Sequence, residues 1–243
     1  KSEASLRLYA NSFYGHFFIG YGVKYTTAYA PGNSYSFNDD VLRLSSQSQF
    51  TRSVPTSKGS TSLDLGEWQS EYTGPDWNFA WIRKANIMSD RMEARMKGTL
   101  SDEQFNHWMG IARFFRGLEY ARLVNVFGDV PYYDYAPENT ELNALYKDRD
   151  NRDDVMDHVY DDFEFANVRL NDGQQQVNRY IVSALVSRWA LIEGSWQKYY
   201  YQNDERAKKF FNLAVEAADK VISSGKYAIT EEFRNLFGSK DLT

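Results

Sequence analysis

The chain has 243 residues, a formal net charge of -5 and a sequence pI near 5.3, so it can bury a sizeable core as one large domain or two small ones without a covalent staple. It contains no cysteine, which excludes disulfides, thiolate metal sites and a cysteine nucleophile. Its basic residues are scattered, and the acidic balance excludes a general nucleic-acid binder, which needs a clustered excess of Lys and Arg.

The segment from Phe17 to Asp76 is rich in Tyr, Ser, Gly and Thr and has little helical period. It reads as long loops, and long loops in a compact protein are where a binding surface is most plausible. Trp68 stands there in the polar stretch Thr61–Pro75, beside Gln69, Glu71 and Tyr72. A sugar ring offers an apolar C–H face and a rim of hydroxyls, so a flat indole or phenol flanked by amides and acids suits it. Trp68, Tyr72 and Tyr35 are therefore the candidate ligand contacts of this loop-rich segment.

Beyond this segment the chain becomes regular. Apolar spacing near 3.6 predicts helices at about Phe79–Lys97, Asp102–Val126, Asp153–Leu170, Arg179–Tyr201 and Glu205–Ser223. Ser101 with Gln104 makes a capping-box pattern, and Asn203-Asp204 supplies cap candidates for the last helix. The core is expected to include Phe114, Leu118, Leu185, Trp189, Phe211 and Ala214. The stripe Ile181, Leu185, Trp189, Ile192, Trp196 reads as the buried face of the fourth helix, and Trp77, Trp81 and Trp108 read as core or hairpin packing. Connections at Gly98–Leu100, Asn171–Gly173 and Gln202–Asp204 are short enough to force antiparallel neighbours. The expected fold is thus all-α dominated, a tetratricopeptide-like stack of helical hairpins with long irregular N-terminal loops.

The second helix carries two interleaved apolar stripes and runs into Phe127-Gly128-Asp129-Val130-Pro131. Gly128 can take a positive φ past the last turn, and Pro131 lacks the N–H needed to resume the helix. Arg116 on that helix needs a partner, and Asp129 is expected to cap the turn after Gly128.

Other constellations yield no chemistry. The acidic run from Asp148 to Asp162 fails as a calcium loop, with Arg152, Asp153 and Val159 where an oxygen ligand, Gly and Glu belong. It reads instead as acid at a helix N-terminus. His16, His107 and His158 lack metal spacing, Gly20-Tyr21-Gly22 lacks the third glycine of a dinucleotide loop, and no nucleophile elbow or phosphate loop occurs. No catalytic residue, metal site or cofactor is expected.

Four blocks together carry a resemblance. Trp77-Asn78-Phe79-Ala80-Trp81-Ile82-Arg83-Lys84-Ala85-Asn86, the helix ending in Phe127-Gly128-Asp129-Val130-Pro131, the Asn151–Asp162 block, and Ala207–Tyr227 with its Ser224-Gly225-Lys226-Tyr227 end stand in the order found in the SusD/RagB family. The chain resembles that family of outer-membrane glycan-binding lipoproteins, with Gly117 where the family commonly has Ala.

The resemblance implies a first helix at Ser2–Tyr14 and a division into a loop-rich part, 1–78, and a hairpin part, 79–243, with the family's second half absent. It further implies a non-enzymatic protein lipid-anchored upstream of this chain at the extracellular face of the outer membrane. There it would bind oligosaccharide, with Trp68, Tyr72 and Tyr35 as the glycan-binding residues the resemblance implies, and deliver it to a SusC-like TonB-dependent transporter. Peptide or other nutrient binding of the RagB type, and a tetratricopeptide-like protein-interaction scaffold, are the alternatives.

Overall fold

Ser101 illustrates how local chemistry sets the helix limits: its hydroxyl accepts from the Gln104 N–H while the Gln104 side chain accepts from the Ser101 N–H, closing the expected capping box. The computed structural model describes residues 2–18, 77–172 and 177–229. The helices are α1 (Glu3–Phe17), α2 (Ala80–Arg95), α3 (Asp102–Phe127), α4 (Leu142–Leu145), α5 (Arg152–Arg169), α6 (Arg179–Tyr199) and α7 (Asp204–Ser223). No strand occurs among the described residues apart from an isolated antiparallel bridge between Val130 and Asp150. The expected helical fold is therefore the observed one. The short helix α4 had no sequence signal. The chain divides into two compact units, Lys1–Asn171 and Asp172–Thr243.

In the first unit α3 is the centre, with α2, α5 and α1 packed around it. Both stripes expected on α3 are buried, which explains why it is apolar on more than one side. Against α5 it presents two glycines seven residues apart. A Cβ on Gly110 would lie 3.2 Å from Leu170 Cδ2, and one on Gly117 would lie 3.2 Å from Asp162 Cβ and 3.3 Å from the Val159 carbonyl oxygen. The two helices thus approach closely at Gly117, which is why that position tolerates the helical cost of glycine.

Helix α1 is held through rings. Phe13 stacks on Phe115 at 4.8 Å, Phe17 meets the same ring at 5.2 Å, and His16 lies parallel to Trp81 at 4.0 Å. At the other end Glu3 accepts from Gln104 Nε2 and Trp108 Nε1, fixing the register of α1 on α3. Trp108 is buried as expected, Trp81 is half-buried, and Trp77 is 41% exposed, its ring edge-on to Phe127 with the Arg149 guanidinium above it.

The second unit is the hairpin of α6 and α7. Its seam differs from the expected stripe by one residue, or about 100° of helix rotation. Val182, Val186, Ala190 and Gly194 are buried, whereas Leu185 and Trp189 are half-buried and Trp196 is 36% exposed. The cause is the closeness of the helices. A Cβ on Gly194 would fall 2.6 Å from Phe211 Cδ1 and 3.2 Å from the Ala207 carbonyl oxygen. No side chain fits at Gly194 against Phe211, so the large apolar residues Leu185, Trp189 and Trp196 lie on the shoulders of the seam. On α7 the buried set is Ala207, Phe210, Ala214 and Ala217, with Phe211 half-buried instead of fully so.

Candidate functional site

The segment after α3 is shaped by backbone before side chain. Gly128 ends the helix at φ +72, its N–H reaching the Val124 carbonyl, and Pro131 prevents a restart. Asp129 does not cap that turn as expected. Its carboxylate accepts from the Arg152 N–H, so it joins Asn151 in capping α5. The Asp150 N–H donates to the Val130 carbonyl, and Asp150 Oδ2 accepts from the Tyr132 N–H at 2.6 Å.

Three polar side chains of the helices then clamp residues 131–135. Arg116 is buried and donates twice to Asp162, at 2.7 and 2.6 Å, once to Asn86 Oδ1 and once to the Asp134 carbonyl at 2.9 Å. Arg113 adds a third N–H to the same carboxylate at 2.7 Å. Burial opposes the Arg116 charge, but the hydrogen bond and charge of Asp162 outweigh it and hold its pKa above the ordinary value. Tyr120, one turn on, accepts from the Tyr133 N–H at 2.6 Å and donates to the Pro131 carbonyl at 3.3 Å. Burial raises the Tyr120 phenol well above its usual range, so it stays a neutral donor and acceptor. Asn86 Nδ2 donates to the carbonyls of Tyr133 and Tyr135, both at 2.9 Å.

With its backbone held, this segment displays three tyrosines. Tyr132 is half-buried and lies parallel to His158 of α5 at 4.2 Å. Tyr133 is half-buried, with the Lys147 ammonium 5.7 Å from its ring centre. Tyr135 is 40% exposed and its hydroxyl donates to Glu141. These rings border an open groove of about 710 Å³ whose opposite side is the Asp154, Asp157, His158 and Asp161 face of α5. Lys147 pairs with Asp150 at 2.6 Å, so the groove keeps a surplus of carboxylates. Burial raises the Tyr132 phenol first, and the Asp162 carboxylate raises it further, so it remains protonated at neutral pH.

Chemically, the groove offers apolar ring faces beside acceptors spaced along a helix. That combination can take a polyhydroxylated ligand, with carboxylates accepting from its hydroxyls and phenols packing on its C–H faces. Among the described residues no group of three or more His, Cys, Asp or Glu is placed to hold a metal ion.

The expected ligand residues Trp68, Tyr72 and Tyr35 lie outside the described residues, as does the loop-rich segment containing them. The groove tyrosines were legible only as the tail of the Phe-Gly-Asp-Val-Pro motif. Their signal was Pro131-Tyr132-Tyr133-Asp134-Tyr135, an aromatic run on a segment that cannot be helical. His158, which lacks metal-ligand spacing in the sequence, stands in the groove wall.

A family profile described as "Starch-binding associating with outer membrane", SusD-like, matches residues 24–192. A curated relative, a SusD-like protein of Formosa agariphila, is 25% identical over 121 residues, which is 48% of this chain and 22% of that protein. A SusD-like carbohydrate binding protein from Bacteroides fragilis superposes with a TM-score of 0.65 at 17% identity, over 97% of this chain and 43% of its own. A structure solved with a xylogluco-oligosaccharide superposes with a TM-score of 0.53 at 16% identity, over 72% of this chain and 33% of its own. The chain thus spans less than half the length of each of these relatives.

Proposed function

The chain belongs to the SusD-like family, and from that premise we propose that it binds oligosaccharide without altering it, through the tyrosine-bordered groove between the 131–135 segment and α5. The observation that carries this is the clamp. Arg116, Tyr120 and Asn86 spend buried hydrogen bonds on holding a backbone whose outward product is a row of tyrosines beside carboxylates. Such a fixed surface loses little entropy on binding, which suits weakly adhesive ligands such as sugars. A fold neighbour solved with a xylogluco-oligosaccharide supports the same class of ligand.

In the same reading Trp68, Tyr72 and Tyr35 add ring faces from the loop-rich part, 1–78. The protein works at the outer face of the outer membrane, anchored by lipid, and passes its ligand to a SusC-like TonB-dependent transporter. The family description supports the outer-membrane setting.

Isothermal titration with a neutral xylogluco-oligosaccharide tests the groove. Tyr135→Ala and Asp161→Asn are each expected to weaken binding several-fold with thermal stability unchanged, since both side chains are exposed. Wild-type affinity in both variants would remove the groove from the ligand site.

A further inference from the structure

Tyr133 and Tyr135 line two cavities at once. Beyond them from the acidic groove lies a second pocket of about 310 Å³, between the start of α2 and the stretch that carries Pro137 and Leu145. Phe79 and Ile82 complete its apolar walls, with Phe79 edge-on to Tyr133 at 6.1 Å. Two polar side chains also border it, and both are engaged. Asn86 donates its amide N–H groups to the Tyr133 and Tyr135 carbonyls, and its side-chain oxygen accepts from Arg116. The Arg83 guanidinium donates to the Pro137 carbonyl.

Most of this lining is ring and aliphatic surface, so a sugar hydroxyl moved into it from water exchanges strong hydrogen bonds for few partners, which disfavours it. A flat apolar group meets no such penalty and gains burial against rings. The volume stands at the lower end of small-molecule pockets; it suits one ring system and not an oligosaccharide chain. The groove on the other side of the same two tyrosines has the opposite character, with the exposed carboxylates of Asp134, Asp154 and Asp161.

We propose that this pocket receives an aryl substituent carried by the sugar that lies in the adjoining groove, so that the site takes aryl-substituted oligosaccharides in preference to plain ones. The proposal rests on the oligosaccharide reading above. One ligand crossing the wall formed by Tyr133 and Tyr135 would place hydroxyls among the carboxylates and its ring among Phe79, Ile82 and Leu145.

The test compares a xylogluco-oligosaccharide bearing a 4-methylphenyl group at its reducing end with the same sugar bearing a methyl group, both titrated calorimetrically into the full chain. The aryl form is expected to bind roughly tenfold tighter, the gain expected from burying one ring. Leu145→Asp places a charge at the half-open side of the pocket on a four-residue helix and is expected to abolish that advantage while leaving the methyl form's affinity unchanged. Asp161→Asn is expected to weaken both forms alike. Equal affinities for the two forms in the wild type, or an advantage that survives Leu145→Asp, would overturn the pocket and leave the sugar reading intact. Failure of both forms to bind would overturn the sugar reading and the pocket with it. Displacement of the aryl form by a phenylalanine-containing tripeptide at lower concentration than by the methyl sugar would overturn it in favour of a peptide ligand.

Discussion

Arg116 and Tyr120 stand one helical turn apart on α3 and grip the same short segment, the first through the Asp134 carbonyl at 2.9 Å and the second through the Tyr133 N–H at 2.6 Å. The i, i+4 spacing puts both on one face of the helix. A segment that leaves the helix at Gly128 is thereby returned to it. Tyr120→Phe keeps the ring in the core but leaves the Tyr133 N–H and the Pro131 carbonyl without this partner. It is expected to cost about 1–3 kcal/mol in urea unfolding and to weaken oligosaccharide binding by loosening the tyrosine row. A variant as stable as the wild type would mean the hydroxyl holds nothing.

Asp162 is expected to be the most sensitive carboxylate of the first unit. It receives three N–H bonds from Arg113 and Arg116 and is almost completely inaccessible. Asp162→Asn leaves the buried Arg116 guanidinium without its counter-charge, and a broken buried pair typically costs about 3–5 kcal/mol. Chemical denaturation measures this. A cost under about 1 kcal/mol, as for exposed pairs, would show that Asn86 and the Asp134 carbonyl suffice for Arg116.

Much of this fold was legible in the sequence, and the exceptions share a cause. Apart from the short α4, the helices after Trp77 begin and end within two residues of their expected limits, because caps such as Ser101 with Gln104 and the Gly128–Pro131 stop are local signals. The seam of α6 departs from its sequence stripe because large apolar residues dominate a periodicity, whereas the seam is set by what fits against Phe211. Trp189 carries the stronger periodic signal, yet Ala190 is the inaccessible one. Asp162 was hidden in an acidic run that reads as helix N-terminal charge. Its partners are 46 and 49 residues away, and such pairing has no local signal. The groove was half legible: the motif marked where the chain leaves α3, but the α5 face that completes it could not be aligned with Tyr132 from sequence.

Gly194→Ala tests the revised seam. Helix propensity favours the change by roughly 1 kcal/mol, but the added methyl would overlap the Phe211 ring and press on the Ala207 carbonyl. Net destabilisation of about 1–3 kcal/mol is expected, as for other overpacked sites. In the double variant with Phe211→Ala the penalty of Gly194→Ala is expected to shrink, a coupling that a double-mutant cycle reads directly. Strict additivity would show that the two positions do not meet.

Acid is expected to weaken the first unit through His16. Burial against Trp81, followed by the charges of Arg122 and Lys84, lowers its pKa from 6.5 to about 4. Between those values the unfolded chain binds a proton that the folded chain refuses, so stability rises with pH across that window. The contribution is complete above about pH 6.5 and is lost as the pH falls toward 4. His107, lowered chiefly by burial, acts in the same direction. Unfolding midpoints measured at pH 7 and pH 4.5 are expected to converge in His16→Gln relative to the wild type. An unchanged gap would assign the acid sensitivity elsewhere.

The central claim is that sugar lies against the tyrosines held by the clamp. The measurement that addresses it most directly is a backbone amide NMR titration of the chain with a neutral xylogluco-oligosaccharide. Saturating shifts are expected at Tyr132, Tyr133, Asp134 and Tyr135 and along the Asp154–Asp161 face of α5, with α6 and α7 unchanged. Saturable binding that leaves these amides unmoved would contradict the account.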